Sequence, residues 1–148
     1  MASIGRYAFA NTAVTNINLP DTVGFLGRQL FENCHNLQTA KLPQNIDEIP
    51  DECFNKCENL HSIALPETVS RIGHYAFQNC VSLKNLTIPK SVVDFGTGVF
   101  YGCSELTELT YLGTIKEFKK TKFFTNKNPK FGSRVTKVIC SDGELENF

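Results

Sequence analysis

The segment Phe54–Phe77 reads FNKCENLHSIALPETVSRIGHYAF, and its apolar skeleton returns 23 residues further along the chain. The residues that return are Phe77, Cys80, Leu83, Leu86, Ile88, Pro89, Val92 and Phe100, in the places of Phe54, Cys57, Leu60, Ile63, Leu65, Pro66, Val69 and Phe77. A fixed period between about 20 and 50 residues is typical of a solenoid, in which each repeat buries its apolar face against its neighbours. The segment therefore predicts a stack of similar coils.

The repeat extends on both sides of this segment. Its phenylalanines are Phe9, Phe31, Phe54, Phe77 and Phe100, at spacings of 22, 23, 23 and 23. The distance from a repeat's proline to the next phenylalanine is always 11 residues. The one-residue difference therefore lies between Phe9 and Pro20, where the first repeat also lacks its cysteine. We predict about five repeats of 23 residues.

Each repeat predicts three short segments of backbone structure. Residues 83–88 end in alternating apolar and polar side chains and predict a strand, which Pro89 ends because proline has no N–H to donate to a ladder. Residues 69–73 predict a second turn around a glycine, and Pro50 in the same place shows that a positive φ is not obligatory there. Residues 74–80 predict one or two helical turns with an inward apolar face, which only stacking could hold.

The two ends of the chain differ from the repeat. After residue 112 the strand–proline pattern stops, and phenylalanines interleaved with lysines precede a closing strand at 135–140. We predict repeats over 1–112 and a C-terminal capping unit over 113–148. The N-terminus begins in the second half of a repeat without a cap, so we expect it to be truncated mid-repeat, with further repeats and any export signal upstream. Its bare apolar edge is expected to pair two copies edge to edge.

Composition limits the classes of partner. The chain has 15 basic and 15 acidic residues, so its formal net charge is zero and no global field attracts nucleic acid or a membrane surface. No apolar run approaches the roughly 20 residues that a transmembrane helix needs. We therefore expect no nucleic-acid partner and no membrane insertion. The content of 41% hydrophobic residues, with 12 phenylalanines, indicates a packed chain.

The repeat unit IGxxAFxxCxxLxxLxIP resembles the BspA-like class of leucine-rich repeats. Residues 72–89 carry the complete unit, and the pattern recurs through residues 4–111. The ending is similar to that family's terminal unit, with Thr110-Tyr111-x-Gly113-Thr114 followed by Val138-Ile139-Cys140-Ser141-Asp142-Gly143. The resemblance implies an α/β fold, a right-handed leucine-rich-repeat solenoid with a parallel sheet on its concave side.

The resemblance also implies a functional class: a secreted or cell-surface protein of host-associated bacteria or protists, used for adhesion and protein binding, without enzymatic activity. We accordingly expect a non-catalytic fragment of an adhesin-like protein that binds a host or microbial surface protein or glycan, and no cofactor. The alternative is a passive spacer that presents other domains of a larger surface protein. An enzyme would need a polar cluster drawn from non-equivalent repeat positions, and the sequence shows none.

The cysteines and histidines are the candidate reactive groups. One repeat position is shared by Cys34, Cys57, Cys80 and Cys103. Adjacent rungs of this cysteine ladder lie about 4.8 Å apart, inside the range of Cα separations that permits a disulfide. Equivalent side chains on successive coils run parallel rather than converge, so we predict buried free thiols. Cys53, four residues before Cys57, occupies a core position rather than a metal site. The three histidines occupy three different repeat positions, so no catalytic dyad and no metal site are predicted.

Two charged stretches are candidate binding surfaces. The run Asp47-Glu48-x-x-Asp51-Glu52 lacks the spacing of a calcium loop and predicts a solvated convex face. Residues 116–137 contain eight basic residues and one acidic residue, a balance of +7, interleaved with phenylalanines as in a nucleic-acid patch. We interpret them as a soluble cap whose lysine stems cover inward phenylalanines, with an anionic glycan or an acidic protein as the functional alternative. The candidate contacts of this basic cap are Lys116, Lys119, Lys120 and Lys122.

The outward positions of the predicted sheet are the main candidate binding surface. They are small and polar, without the aromatic anchors that dominate binding hot spots. The candidate residues are Asn16, Asn18, Thr39, Lys41, Ser62, Asn85, Thr87, Glu108 and Thr110, with Ala64 in the same rows. Asn85-Leu86-Thr87 also matches a glycosylation sequon, on a predicted strand. We expect broad, weak contacts of this face with protein or glycan.

Overall fold

The computed structural model describes residues 1–146, which form a parallel-sheet solenoid of about five turns spaced by about 23 residues. In chain order the elements are β1 (Ala2–Ile4), β2 (Asn16–Asn18), β3 (Val23–Leu26), β4 (Thr39–Lys41), β5 (Glu48–Ile49), β6 (Ser62–Ala64), β7 (Arg71–Ile72), β8 (Thr87–Ile88), β9 (Asp94–Phe95), β10 (Glu108–Tyr111), α1 (Ile115–Phe118), α2 (Lys122–Thr125), β11 (Lys137–Cys140) and β12 (Gly143–Glu146). The predicted repeat solenoid is confirmed.

Successive coils contribute short parallel strands at two places of the repeat, here called the first and the second sheet. Within residues 1–146 each is interrupted once, the first between β6 and β8 and the second between β3 and β5. In the first sheet β2 pairs with β4 and β4 with β6, and β8, β10 and β11 follow in the same part of the repeat. In the second sheet β1 pairs with β3, and β7 lies between β5 and β9. The prediction of a second turn at 69–73 is therefore wrong, because Arg71 points outward and Ile72 inward, and their equivalents on both neighbouring coils supply backbone partners.

The predicted helical turns at 74–80 do not form a helix. Tyr75 and Asn79 have left-handed backbone conformations, with φ of 53° and 60°, which no right-handed helix contains. The N–H groups of Tyr75, Phe77 and Asn79 donate to carbonyls of the next coil at 2.7–3.0 Å, and the N–H groups between them bond three residues back. A helix would use every N–H internally, so the left-handed residues are what make donors available to the neighbouring coil. The fifth coil has Gly98 and Gly102 in these two places.

A column of stacked phenylalanines runs through the core. Ring centroids of successive repeats lie 5.3–6.0 Å apart, with ring planes within 26° of one another. Phe123 of α2, 23 residues after Phe100, ends the column with a tilted ring 5.9 Å away. Each aromatic pair contributes about 0.5–1.5 kcal/mol beyond the burial of its surface. The column therefore links every coil to the next and to the C-terminal segment.

The second sheet is interrupted between β3 and β5, where Pro50 stands in the glycine position. Among residues 1–146 no ladder joins these two strands. In three other coils the residue in this position donates its N–H to the preceding coil at 2.7–2.8 Å, in the pairs Gly27–Ile4, Gly73–Ile49 and Gly96–Ile72. Pro50 has no N–H and cannot make the equivalent bond to Leu26. A single residue therefore accounts for the break.

Residues 113–146 close the solenoid with two short helices and a hairpin. Thr114 caps the N-terminus of α1 in a capping box with Glu117. Phe118 is buried against Tyr111, with ring centroids 5.2 Å apart. β11 continues the first sheet in parallel, and β12 folds back on it antiparallel. The predicted capping unit extends to residue 148, and Asn147 and Phe148 lie outside the described residues.

The first coil is less buried than the coils that follow it. Ile4, Phe9, Val14 and Ile17 are half-buried, whereas their equivalents in the second coil are buried. The exposed side of this coil consists of apolar side chains and the unpaired edges of β1 and β2. Edge-to-edge pairing of two copies through this coil stays a prediction.

Substitutions at the glycine that follows the strands of the second sheet test how closely neighbouring coils approach each other. A Cβ on Gly96 would lie 2.4 Å from the backbone nitrogen of His74, whereas a Cβ on Gly5, in the same place of the first coil, meets nothing within 4 Å. We expect Gly96→Ala to lower the free energy of unfolding by about 1–3 kcal/mol because the coils must separate. Gly5→Ala should leave it unchanged within about 0.5 kcal/mol. Equal urea midpoints for the two variants would contradict a close-approach role of this glycine.

Candidate functional site

The predicted binding residues of the first sheet lie in two rows on its outward side, here called the outer face. The register aligns Asn16, Thr39 and Ser62 in one row and Asn18, Lys41 and Ala64 in the other. Thr87, Glu108 and Thr110 continue the rows on β8 and β10, whereas Asn85 is exposed but precedes β8. The Thr39 hydroxyl donates to Asn16 Oδ1 at 2.6 Å. These side chains form a mostly polar surface in which Lys41 and Glu108 are the charged members.

The outer face continues onto the hairpin with acidic residues that the sequence analysis missed. Lys137 lies beside Glu108 on one side and Glu146 on the other. Its Nζ is 3.2 Å from Glu144 Oε2, and this hydrogen bond, together with the surrounding carboxylates, raises the pKa of the Lys137 ammonium. The antiparallel return of β12, which brings these carboxylates here, has no counterpart in the repeat pattern. The C-terminal end of the outer face is therefore rich in negative charge.

The four lysines of the predicted basic cap are all exposed. They lie on and beside α1 and α2, and none is within 4.0 Å of a carboxylate oxygen of residues 1–146. Other basic residues of the same stretch lie elsewhere: Lys130 donates to the Phe124 carbonyl at 3.3 Å, and Lys137 belongs to the outer face. The stretch with a balance of +7 is therefore divided between separate surfaces.

The cysteine thiols act as hydrogen-bond donors inside the core. All six cysteines are free and buried, so the prediction of buried free thiols is confirmed. In the shared repeat position each Sγ donates to the carbonyl of the phenylalanine one coil back, at 2.9–3.2 Å. Thr12 occupies this position in the first coil, and its hydroxyl donates to the Phe9 carbonyl at 2.7 Å. Burial raises the pKa of the Cys57 thiol far above its ordinary value, so it stays protonated.

The three histidines are held apart by the fold. His35 Nδ1 lies 3.6 Å from Glu58 Oε2, and His74 Nδ1 accepts a hydrogen bond from the Thr97 backbone N–H at 2.8 Å. His61 is exposed beside the first sheet. Within residues 1–146, no three His, Cys, Asp or Glu side chains are arranged to hold a metal ion.

The carboxylate run at 47–52 is more structured than the predicted solvated face. Arg71 lies between Glu48 and Asp94 in the second sheet and contacts both carboxylates, at 3.3 Å and 3.9 Å. Asp51 Oδ1 accepts from Arg71 at 3.2 Å and from the His74 backbone N–H at 2.9 Å. The 23-residue spacing of residues 48, 71 and 94 was a signal in the sequence that could have revealed this ion-pair row.

Glu52 lies in a repulsive environment next to this row. Burial raises the pKa of its carboxyl, and the carboxylates of Glu32 and Asp51 raise it further, against a smaller opposing effect of Arg6. Glu52 has a left-handed backbone with φ of 55°, and its equivalent one coil earlier is Gln29, with φ of 57°. The position therefore accepts an uncharged side chain of the same shape.

One concave site lies between the fourth coil and α1, and we call it the cap cleft. Its volume is about 600 Å³, within the range of ligand sites. The lining residues are Glu67, Pro89, Lys90, Ser91, Val93, Tyr111, Leu112, Glu117 and Lys120. Lys120 is the only residue of the cleft that the sequence analysis named as a candidate site residue.

Comparison with known proteins agrees with this architecture. The model of the BspA-type leucine-rich repeat region matches residues 2–130 in six copies. The chain belongs to the BspA-type leucine-rich repeat family. The recognised repeat class is thereby confirmed, and this family is generally non-catalytic. No curated protein is significantly similar in sequence.

Several solved structures of this repeat type are similar to the chain. A leucine-rich cell surface protein from Faecalibacterium prausnitzii is 31% identical with a TM-score of 0.79, over 81% of this chain and 32% of that one. A leucine-rich repeat protein from Bacteroides ovatus is 34% identical with a TM-score of 0.69, over 81% and 33%. One from T. pallidum is 26% identical with a TM-score of 0.71, over 80% and 60%. The chain thus spans about a third of the length of the first of these proteins.

The helices of residues 1–146 are all too short and too polar to cross a membrane.

The thiol geometry predicts that the cysteines are inert in the folded protein. We expect essentially no reaction with a thiol reagent such as Ellman's reagent in buffer, and reaction of all six cysteines in denaturing urea. The reason is that all six side chains are buried, which excludes the reagent, and that burial also raises the pKa of the Cys53, Cys57 and Cys80 thiols. A reductant should leave the urea midpoint unchanged, because no disulfide contributes to stability. Rapid titration of two or more thiols in the folded protein would contradict this role.

The environment of Glu52 predicts a stability effect that depends on pH. Because its pKa is raised by folding, the charged form destabilises the native state above that pKa, and this cost disappears as the pH falls through it toward the ordinary value of 4.5. We expect Glu52→Gln to raise the free energy of unfolding at about pH 7 by less than about 1 kcal/mol, since solvent screens the repulsion. The gain should vanish at about pH 4.

Urea unfolding at the two pH values measures this effect, with Glu105→Gln, an exposed carboxylate elsewhere, as the matched control. The control should change little at either pH. A loss of stability in Glu52→Gln at neutral pH would show that the carboxylate makes a favourable contact.

Proposed function

We propose that the chain is a non-catalytic repeat scaffold, a fragment of a surface or secreted adhesin-like protein that binds protein or glycan through the outer face. The observation that carries the proposal is the alignment of two rows of mostly polar side chains, half-buried to exposed, on β2, β4 and β6, with further polar side chains on β8 and β10. Their hydroxyl, amide and charged groups could contact an extended ligand. The likeness to a leucine-rich cell surface protein supports an extracellular or cell-surface location.

The division of the chain fits this proposal. Residues 1–112 act as the repeat scaffold, and residues 113–148 act as the capping unit that covers the last coil. The exposed lysines of the basic cap, unpaired with carboxylates of residues 1–146, provide a second contact for an anionic glycan or an acidic protein. Binding there should weaken as salt is added, because exposed charges are screened over about 10 Å at 0.1 M salt.

The alternative is a passive spacer that holds other domains of a larger surface protein apart. A column of stacked phenylalanines and parallel strand pairing connect successive coils, an arrangement that would suit this role without any ligand. The two functions differ in one observable, since a spacer has no affinity for surface macromolecules.

Charge reversal on the outer face tests the proposal. We expect Lys41→Glu combined with Glu108→Lys to weaken capture of ligands from a glycan array and a panel of purified host-surface proteins by about tenfold, because each reversal removes one contact and adds a repulsion. Asp47→Lys combined with Lys56→Glu is the matched control, since it also conserves net charge but lies outside the outer face. It should leave capture unchanged.

Two results would contradict the proposal. Equal capture by both double variants would remove the outer face from consideration. No capture by the unaltered protein would favour the spacer. Circular dichroism of each variant separates loss of binding from loss of folding.

A further inference from the structure

The cap cleft begins where a regular set of loop hydrogen bonds ends. After β4 and after β6 the chain passes a proline, and the residue two positions beyond that proline bonds to the loop of the preceding coil. Asn45 Nδ2 donates to the Asp21 carbonyl at 2.9 Å, and Thr68 Oγ1 lies 2.6 Å from the Ile46 carbonyl and 3.0 Å from the Gln44 carbonyl. These residues are 23 apart and make the same contact in successive coils. The loops of the first three coils are thereby held together.

The next coil lacks this bond. Ser91 occupies the same place, but its hydroxyl oxygen is buried without a hydrogen-bond partner among residues 1–146. The following equivalent, Thr114, caps α1 instead of bonding to the preceding loop. A buried hydroxyl without a partner is unfavourable, and a ligand in the cleft would relieve this cost. Ser91 therefore offers a hydrogen-bonding group that the fold itself does not use.

The walls of the cleft are apolar. Val93 and Leu112 are 54% and 51% exposed, although the other large aliphatic side chains of this coil are mostly buried. Leu112 stands in the proline position of the repeat, and Tyr111 beside it is buried. A Cβ on Gly113 would lie 2.5 Å from the Tyr111 ring, so the ring packs closely against the backbone of Gly113. These side chains form a hydrophobic surface wide enough for one aromatic ring or branched chain.

Charged groups surround this apolar surface. Lys90 and Lys120 line the cleft, and neither lies within 4.0 Å of a carboxylate oxygen of the described chain. Glu117 also lines it, but its Oε2 accepts the Thr114 backbone N–H at 3.1 Å and is committed to the start of α1. Glu67 is the remaining acidic group. The cleft is thus lined by the ammonium groups of Lys90 and Lys120 and by one further carboxylate, that of Glu67.

We propose that the cap cleft binds a ligand in which one apolar or aromatic group carries one carboxylate. The apolar group contacts Val93 and Leu112 above the buried Tyr111 ring, and the carboxylate lies between the ammonium groups of Lys90 and Lys120. The Ser91 side chain, which lines the cleft with its hydroxyl buried, rotates toward the ligand and donates to the carboxylate. The ligand is either a free organic acid or the C-terminal residue of a peptide, which present the same chemistry. This site is separate from the outer face, so each can fail without the other.

The test is an NMR titration of the full chain with 3-phenylpropionate, and with 3-phenylpropan-1-ol as the uncharged analogue. We expect millimolar or tighter binding of the acid, with amide shifts confined to residues of the cleft, and binding of the alcohol about tenfold weaker. Lys120→Met should weaken binding of the acid by about tenfold because it removes one ammonium group. Lys56→Met, at an exposed lysine outside the cleft, the basic cap and the outer face, is the matched control and should bind as the unaltered protein does.

A second pair of probes distinguishes the two sources of the ligand. The peptide acetyl-Gly-Gly-Phe with a free carboxylate is compared with its C-terminal amide. Binding of the free peptide together with 3-phenylpropionate supports recognition of a peptide terminus, and binding of 3-phenylpropionate alone supports a free acid. Either result supports the site.

Three results would overturn the proposal. These are absence of binding at millimolar acid, equal affinity for acid and alcohol, and unchanged affinity in Lys120→Met. The outer-face variant Lys41→Glu with Glu108→Lys should retain full binding of the acid. Loss in that variant would place the ligand elsewhere and would also overturn the proposal.

Discussion

Hydrogen bonding between neighbouring coils at one fixed spacing is the constraint on which the structure depends. Each coil must meet the backbone donors and acceptors of its neighbours in both sheets and along the turns between them. A buried backbone donor or acceptor without a partner costs about 1–3 kcal/mol. Many residues of the repeat are therefore ones that can pair with a backbone group of the adjacent coil. The cysteines show this clearly. Cys80 fills space in the core and also supplies a donor to the Phe54 carbonyl one coil back.

The same constraint limits the chemistry available to the repeats. Equivalent side chains lie parallel and in contact, so a catalytic or metal site would need different residues at non-equivalent positions. Polar interactions between coils arise where neighbouring coils differ, as in the alternating charges of Glu48, Arg71 and Asp94. Glu52 beside Glu32 is the opposite case, in which neighbouring coils have like charges. The polar contacts between coils therefore depend on differences between repeats that a consensus sequence would remove.

The sequence predicted the parts of the fold that a period and an alternation can describe. The 23-residue spacing predicted the number and length of the coils, and Pro89 predicted where a strand of the first sheet ends. The turns at 74–80 were misinterpreted because apolar residues at i+3 and i+4 also fit a helix, and this count ignores backbone conformation. The informative signal was the pair Gly98 and Gly102, which occupy the left-handed positions in the fifth coil.

The candidate sites were predictable to different degrees, because a period describes only the part of the chain that repeats. The outer face follows from strand alternation, so its residues could be named from the repeat alone. The acidic edge formed by β12 and the cap cleft could not, because both arise where the chain stops repeating. Their geometry depends on tertiary packing of the C-terminal segment, to which periodicity does not apply.

The cap cleft exists because the final coil has no further coil to match. Within the stack, Asn45 and Thr68 bond to the preceding loop. Ser91 holds the same position in the next coil and makes no such bond, and Thr114 after it starts a helix instead. Among residues 1–146 the Ser91 hydroxyl is therefore buried without a partner, and Leu112 is exposed in the same cleft. A solenoid built for uniform contacts thus acquires a concave and chemically varied site at the one end where uniformity is no longer required.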